Sequence, residues 1–209
     1  SGIIKNKKKA KVIFNGSICG VDTKIFLKNT NNKNKIRKKL KIDKKSIVLI
    51  YVGRINREKG ILNLLNIFSQ LYLLKKNIYL ILVGSDEIGI RNIIKNNNFI
   101  KKKIKIIKHS KNVQVYLQSS DIFCFPSERE GFGLSVIEAS SCELPIICSD
   151  IYGLRDSMYH NLTGYRCNIL NEKKFLDLLT KLVLDSNLRV KLGKQGRRFV
   201  KERFEKKKV

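Results

Sequence analysis

Five short, mainly apolar runs rich in β-branched residues set the strongest constraint on how this chain can fold. They are SIVLIYVG (46–53), IYLILVG (78–84), KIKII (103–107), DIFCFPS (121–127) and PIICS (145–149). Runs that are apolar on both faces are typical of strands covered on both sides, as in a parallel sheet. Segments with helical periodicity lie between them at 61–74, 88–96, 112–120 and 134–142, and two more follow at 172–186 and 188–204. This alternation predicts an α/β protein with a Rossmann-like, doubly wound parallel sheet.

The length of 209 residues suits a single α/β domain with its own core. Residues 1–45 are polar, lysine-rich and irregular apart from KVIFNG (11–16), so we predict a linker that leads into the domain. The Rossmann-like domain then spans 46–186, and a C-terminal helix occupies 187–209. Ser1 opens the chain and its only methionine is Met158, so we expect a fragment or a trimmed chain.

The charge balance is strongly basic, with 44 Lys and Arg against 17 Asp and Glu and a formal net charge of +27. Such a field attracts nucleic acid, anionic membranes and phosphorylated ligands alike. Lys, Asn and Ile are over-used together, so we favour compositional bias, with lysine runs forming a solvated surface. Peripheral contact with an anionic membrane is the second interpretation. Nucleic-acid binding is not expected, because interleaved aromatic residues and zinc-finger spacing are both missing from the sequence.

The cysteines indicate a reducing compartment. There are five, at positions 19, 124, 142, 148 and 167, and they form neither a C-x-x-C pair nor a metal-ligand spacing. Three of them lie in apolar runs and are interpreted as small core residues. Because the sequence contains neither a signal peptide nor an apolar run of about 18 residues, we expect a cytoplasmic protein, with a position at the cytoplasmic face of the membrane left open.

The loop that follows the first predicted strand contains two cations. It runs GRINREKG (53–60), in which Gly53 permits close backbone approach and Arg54 and Lys59 bring positive charge to the edge of the sheet. Ligands of doubly wound sheets bind at this edge, beyond the carboxyl ends of the strands. The loop is neither a Walker A motif nor a G-x-G-x-x-G fingerprint. Taken alone, it is more often a solvated turn with ordinary basic residues.

A second strand-to-helix loop, PSEREGFGLSVIEASSCELP (126–145), places two carboxylates around a Gly-Phe-Gly turn. Gly131 and Gly133 allow a sharp turn with exposed N–H groups, and the helix that begins near Leu134 adds its positive dipole end, a favourable site for phosphate oxygens. Glu138 falls one turn into that helix, and helical side chains lean towards the N-terminus. A carboxylate there can accept hydrogen bonds from vicinal hydroxyls of a ribose, and Glu130 can accept from another polyol. The pattern predicts a nucleotide-sugar site.

Two simpler interpretations compete with that prediction. Carboxylates at a helix start often act only as caps or dipole partners, and Glu130 considered alone fits that role. Paired carboxylates also occur in glycoside hydrolases. Hydrolysis of a glycoside, however, needs no cationic loop on a neighbouring strand end.

The motifs resemble the C-terminal half of retaining GT-B glycosyltransferases of family 4, the glycosyl transferases group 1. The resemblance is carried by YVGRINREKGILNLLNIF (51–68), LILVGSDE (80–87) and above all SSDIFCFPSEREGFGLSVIEASSCELPIICSDIYGLRDSMYHNLTGY (119–165), while NGSICGVDTKIF (15–26) is similar to the linker into the nucleotide domain. It covers nearly the whole chain. It implies that 46–186 is the nucleotide-sugar-binding domain of a hexosyl- or N-acetylhexosaminyltransferase.

The resemblance also implies roles for single residues. Arg54 and Lys59 match the basic pair that neutralises the donor diphosphate as the leaving group departs. Glu130 matches the first glutamate of the motif, which lies beside the donor sugar. These three residues are the catalytic candidates, with Gly53 at the start of the same loop.

Donor binding is implied for the rest of the motif. The backbone of Phe132, Gly133 and Leu134, with Gly131 before them, matches the segment that contacts sugar and phosphate, and Glu138 matches the glutamate that holds the ribose hydroxyls. Family members retain the configuration of the sugar and usually need no metal, so no cofactor is expected beside the nucleotide-diphosphate sugar, most simply a UDP-sugar. The implied acceptor is a glycan or a polyprenyl-linked sugar.

Two features depart from the family pattern. The family commonly has glycine where Glu143 stands, at a helix end that suits the left-handed conformation, and a glutamate there costs about 1 kcal/mol. The N-terminal acceptor domain is missing, so this chain is expected to bind a nucleotide better than it catalyses transfer. Three alternatives stay open: a degenerate, non-catalytic nucleotide-sugar-binding remnant, a glycoside hydrolase or phosphorylase, and a basic nucleic-acid-binding module.

Overall fold

A six-stranded, entirely parallel sheet forms the centre of the molecule. The structure, a computed structural model, describes residues 20–95, 97 and 100–206. The strands are β1 (Ile47–Val52), β2 (Ile78–Val83), β3 (Ile104–Ile107), β4 (Ile122–Phe125), β5 (Ile146–Ser149) and β6 (Gly164–Cys167). Their order is β3-β2-β1-β4-β5-β6, which reverses direction beside β1. This is the predicted doubly wound sheet, and its switch point lies between β1 and β4.

Helices cover both faces of the sheet. They are α1 (Thr30–Lys39), α2 (Ile61–Leu74), α3 (Ile90–Lys95), α4 (Val113–Gln118), α5 (Leu134–Ser141), α6 (Glu172–Leu184) and α7 (Ser186–Arg203). α1 packs against α4, α2 against α6, and α5 against α7. The central strands are therefore buried throughout, with β4 and β5 fully enclosed and β1 and β2 open only at single positions. The cysteines of β4, β5 and β6, and Cys142 after α5, are buried free thiols.

The prediction of an irregular linker over residues 1–45 is wrong for residues 30–39, which form α1. Asn29 caps this helix by accepting a hydrogen bond from the Asn32 N–H at 2.9 Å. The helix is held by Arg37, whose guanidinium is buried, donates to the Ser119 carbonyl at 2.9 Å and pairs with Asp121 at 2.7 Å. Lys33 of the same helix also pairs with Asp121 at 2.7 Å, so tertiary contacts of two cationic residues hold a helix that has little apolar periodicity. The KVIFNG run, the first half of the NGSICGVDTKIF resemblance and Cys19 lie outside the described residues.

β6 is the strand that the sequence did not predict. The segment GYRC pairs in parallel with β5, in the register Ile146↔Gly164 to Ser149↔Cys167. The close approach requires glycine at 164, because a Cβ there would lie 2.0 Å from the Ile146 carbonyl oxygen. A strand of four residues that contains a glycine and an arginine has too weak a hydrophobic pattern to be predicted from the sequence.

α7 continues directly from α6 and covers α5. Asp185 ends α6 and caps α7 by accepting from the Leu188 N–H at 2.8 Å. At the end of α5, Glu143 has the expected left-handed conformation, with φ of 62°. Its Oε2 lies 3.6 Å from Lys28 Nζ, and Gly193 of α7 packs on its carbonyl oxygen. None of the helices in the described part of the chain combines the length and the apolar character needed to cross a bilayer.

Candidate functional site

An open cleft of about 700 Å³ lies at the carboxyl ends of β1, β4 and β5, beside the switch point of the sheet. Three segments line it: Arg54, Glu58 and Lys59 from the loop after β1, 128–131 from the loop after β4, and 151–153 from the loop after β5. The structure thus brings together the candidate residues Arg54, Lys59, Glu130 and Gly131. Gly53, Phe132, Gly133, Leu134 and Glu138 lie outside the lining of this cleft.

Tyr51 fixes the loop after β1. Its buried phenol donates a hydrogen bond to the Arg54 carbonyl at 2.7 Å. Gly53 lies against the same ring with φ of 155°, and a Cβ at this position would approach the Tyr51 hydroxyl to 2.7 Å. Burial raises the pKa of Tyr51 far above its usual value, so the phenol stays a donor at physiological pH. Gly53 therefore has a steric role under the loop.

Lys59 and Glu130 form the central ion pair of the cleft. Lys59 Nζ lies 3.0 Å from Glu130 Oε2 and donates to the Arg129 carbonyl at 2.7 Å. The two side chains are only 12% and 23% exposed, so this pair is better shielded than most surface salt bridges. The loops after β1 and β4 are thereby joined across the cleft, and the Lys59 ammonium is oriented by two oxygen atoms.

Arg54 is held on the other side of the same loop. Its Nη1 lies 3.6 Å from Glu87 Oε1, and the second Glu87 oxygen accepts from Asn56 Nδ2 at 2.9 Å. Asn56 in turn accepts from the Lys59 N–H at 3.0 Å, which closes the turn between the two cations. Both predicted cations therefore face carboxylates, an arrangement that sequence reasoning did not anticipate.

The Gly-Phe-Gly turn leads into α5 as predicted. Gly133 is the residue before the helix and has φ of 75°, and a Cβ there would lie 2.5 Å from Leu154 Cδ2. Gly131 has open space around its Cβ position and no positive φ, so neither backbone conformation nor packing requires glycine there. Phe132 packs edge-on against Phe204 of the C-terminal region at a centroid distance of 5.4 Å, and Leu134 is 41% exposed.

Glu138 stands one turn into α5 and is partly buried. Its carboxylate makes no hydrogen bond or ion pair with residues 20–95, 97 or 100–206, and burial raises its pKa to about 7. A carboxylate that is partly shielded from water and has no hydrogen-bond partner among the described residues is available to accept from a ligand. Such a group suits a ligand that donates two hydroxyl hydrogen bonds.

The loop after β5 adds residues that sequence reasoning missed. Tyr152 is 87% exposed at the rim of the cleft, at the start of a 3₁₀ turn (Tyr152–Leu154). Gly153 packs beneath Glu130, and a Cβ there would lie 1.8 Å from the Glu130 carbonyl oxygen. The predicted strand 145–149 could have pointed to these residues, because the loops that follow parallel strands all lie at the same edge of the sheet. Among the described residues, no three His, Cys, Asp or Glu side chains are grouped to hold a metal ion.

The fold and the cleft define a class of protein. The parallel sheet, wound on both faces with a cationic loop and a glycine turn at its carboxyl edge, has the fold of one half of solved GT-B glycosyltransferases. Residues 32–199 match the model of glycosyl transferases group 1, and the chain belongs to that family.

Individual relatives agree with this assignment. The chain is 29% identical over 205 residues to the capsular polysaccharide biosynthesis glycosyltransferase CapM of Staphylococcus aureus, covering 96% of this chain and 53% of CapM. Its fold is similar to that of Anabaena Alr3699/HepE solved with UDP and glucose, with a TM-score of 0.78, 18% identity and coverage of 90% and 52% of the two chains. The C-terminal domain of LpcC from Francisella tularensis matches with a TM-score of 0.76 and 23% identity, over 88% of this chain and 97% of that domain. The chain spans about half the length of the curated relatives it matches.

Proposed function

We propose that this chain is the donor-binding half of a retaining glycosyltransferase, which transfers a sugar from a UDP-sugar to a glycan or a polyprenyl-linked acceptor. The observation that carries the proposal is the placement of Lys59, Arg54 and Glu130 around one cleft at the carboxyl edge of the sheet. HepE, which shares the fold, was solved with UDP, and CapM is named for capsular polysaccharide synthesis.

In this proposal the donor diphosphate replaces two carboxylates as the partner of the cationic side chains. Phosphate oxygens take over the Lys59 ammonium from Glu130, which lies 3.0 Å away, and the Arg54 guanidinium from Glu87, which lies 3.6 Å away. Glu130 is then released to accept from a hydroxyl of the donor sugar. As the bond between sugar and phosphate breaks, the two cations stabilise the negative charge that develops on the leaving diphosphate.

The nucleoside is held by α5. The first N–H groups of this helix, together with Gly133, present partial positive charge to a phosphate. Glu138 accepts hydrogen bonds from the two ribose hydroxyls, which gives its partly buried carboxylate the partners that the described residues do not supply. The acceptor is bound by a further domain that is outside this chain, and no metal or other cofactor takes part in the proposed reaction.

A calorimetric titration with UDP and with GDP tests the donor site. We expect one nucleotide to bind, and Glu138→Ala to weaken it by roughly 1.5–3 kcal/mol, the usual contribution of hydrogen bonds to a charged group. Asp177→Ala, which removes an exposed carboxylate from α6, is the matched control and should leave the affinity unchanged. If the parent and Glu138→Ala bind the nucleotide with equal affinity, Glu138 does not bind the ribose hydroxyls. If neither nucleotide binds, the chain is a degenerate remnant or needs its acceptor domain.

A further inference from the structure

Two stretches of this chain carry lysines but no acidic residue. The sequence contains no Asp or Glu from residue 59 to 85, nor from 88 to 120, although lysines recur in both stretches. These stretches include the starts of β2 and β3, which lie side by side at the amino-terminal edge of the sheet. We call the resulting surface the basic corner, formed by Lys41, Lys75, Lys76, Lys102, Lys103 and Lys105 with the rings of Tyr72 and Tyr79.

Lysines and tyrosine rings of the basic corner are in cation–π contact, and Lys103 Nζ also donates to the Tyr79 hydroxyl at 3.5 Å. Lys76 Nζ lies 4.8 Å from the centroid of the Tyr72 ring, and Lys103 Nζ lies 4.5 Å from that of Tyr79. Lys105 lies 5.6 Å from the same Tyr79 ring. The pKa of Lys105 is lowered, first by burial and then by the positive charges of Lys103 and Lys41. The ammonium groups thus repel one another and are gathered on aromatic rings.

The nearest acidic residue in the sequence forms no ion pair with the lysines of the basic corner. Asp43 lies in the turn before β1, where its carboxylate accepts from the Lys45 N–H at 2.6 Å and closes the turn. Within the part of the chain that the structure describes, the lysines of the basic corner form no ion pair. A local excess of positive charge costs stability through self-repulsion, and an anionic partner recovers that cost.

An exposed aliphatic pair adjoins the lysines. Leu73 and Leu74, at the end of α2, are 63% and 68% exposed and come directly before Lys75 and Lys76. Exposed leucines beside lysines are typical of surfaces that insert apolar side chains at the boundary between lipid headgroups and acyl chains.

We propose that the basic corner, with Leu73 and Leu74, docks the protein on a bilayer that contains anionic phospholipids. Lysine provides point charges suited to diffuse headgroup charge, whereas bidentate recognition of bases and phosphates in nucleic acids favours arginine. The tyrosine rings are engaged by ammonium groups rather than free to stack on bases. These observations favour lipid over nucleic acid. The proposal goes beyond the donor site and does not depend on it.

The basic corner and the donor cleft lie at opposite edges of the sheet. The corner lies at the amino-terminal ends of β2 and β3, whereas the donor cleft lies at the carboxyl ends of β1, β4 and β5. A parallel strand of six residues is about 20 Å long. A docked bilayer therefore leaves the donor cleft open to nucleotide.

Cosedimentation with vesicles tests the proposal. We expect the protein to sediment with vesicles of phosphatidylcholine mixed with phosphatidylglycerol and to stay in solution with phosphatidylcholine alone. The triple variant Lys75→Gln, Lys76→Gln, Lys102→Gln removes three exposed charges, and at about fivefold per lysine near the surface it should weaken binding by about 100-fold. The matched control, Lys173→Gln, Lys191→Gln, Lys194→Gln, removes the same charge from α6 and α7 and should bind nearly as well as the parent. Equal weakening in both variants, or no binding to the anionic vesicles, would overturn the proposal.

A second variant pair tests the aliphatic contribution. Leu73→Ser with Leu74→Ser should weaken vesicle binding by about tenfold, while Leu170→Ser with Leu184→Ser, which changes exposed leucines elsewhere, should not. Only variants whose thermal unfolding midpoint equals that of the parent are compared, so that weaker binding is not caused by loss of folding. Tighter binding to a single-stranded oligonucleotide than to anionic vesicles, unchanged in the Leu73 and Leu74 variant, would assign the corner to nucleic acid and overturn the proposal.

Discussion

Replacing Glu138 by glutamine should make the protein more stable at neutral and alkaline pH. Burial raises the pKa of this carboxyl from 4.5 to about 7 in the folded protein, since no described residue compensates its charge. Each pKa unit corresponds to about 1.4 kcal/mol, so the ionised carboxylate costs the folded state about 3 kcal/mol. Glutamine has nearly the same shape and carries no charge, and it avoids this cost.

The sign of the pH dependence follows from proton binding. Below pH 4.5 the carboxyl is protonated in both states and contributes no difference. Between pH 4.5 and about 7 the folded protein binds more protons than the unfolded chain, so this group lowers the stability of the parent as pH rises. Above about pH 7 the full cost is present. The advantage of Glu138→Gln should therefore be small in mild acid and reach about 3 kcal/mol at alkaline pH.

Urea unfolding across this pH range measures the effect. Asp177→Asn, which changes an exposed carboxylate on α6, is the control and should shift the free energy of unfolding by less than about 0.5 kcal/mol at every pH. The reasoning is refuted if Glu138→Gln is no more stable than the parent above pH 7. Greater stability combined with weaker UDP binding would mark Glu138 as a residue kept for ligand binding at a cost in stability.

Three further substitutions have definite expected outcomes. Glu143→Gly should raise the free energy of unfolding by about 1 kcal/mol, because φ at this position is 62°, and a lower value in urea unfolding would contradict the strain argument. Gly153→Ala should displace the Glu130 carbonyl and lower the UDP affinity in calorimetry, and unchanged affinity would count against coupling between these loops. Arg37→Ala should lower the free energy of unfolding by about 2–3 kcal/mol, because the buried Ser119 carbonyl loses its donor while Asp121 keeps Lys33 at 2.7 Å, and a loss below about 1 kcal/mol in urea unfolding would show that these contacts contribute little.

Most of the sheet was predictable because its strands are buried on both faces. A strand such as β2, with the sequence IYLILV, has almost no polar residue and therefore an unmistakable pattern. α1 and β6 could not be found in this way. α1 depends on the buried Arg37 and its contacts with Ser119 and Asp121, which are more than 80 residues away in the sequence. β6 depends on pairing with β5.

The candidate site was predictable in position but not in its internal contacts. The rule that loops after parallel strands share an edge is enough to place Arg54, Lys59 and Glu130 near one another. The ion pairs with Glu130 and Glu87 could not be predicted, because they depend on side-chain directions within irregular loops. Tyr152 was missed for the same reason, since a single tyrosine after a strand carries no pattern of its own.

The ion pairs of the donor cleft also determine how the protein responds to salt. Three cationic side chains and three carboxylates line the cleft, so it is close to neutral in a chain with a net charge of +27. In the two proposals, affinity for a nucleotide rests on short-range exchange of partners, whereas attraction to a membrane rests on the field of exposed lysines, which ions screen over about 10 Å at 0.1 M. Moderate salt should therefore release the protein from anionic vesicles and leave nucleotide bound. A single salt titration would then distinguish the two surfaces, because vesicle binding is lost while nucleotide binding persists.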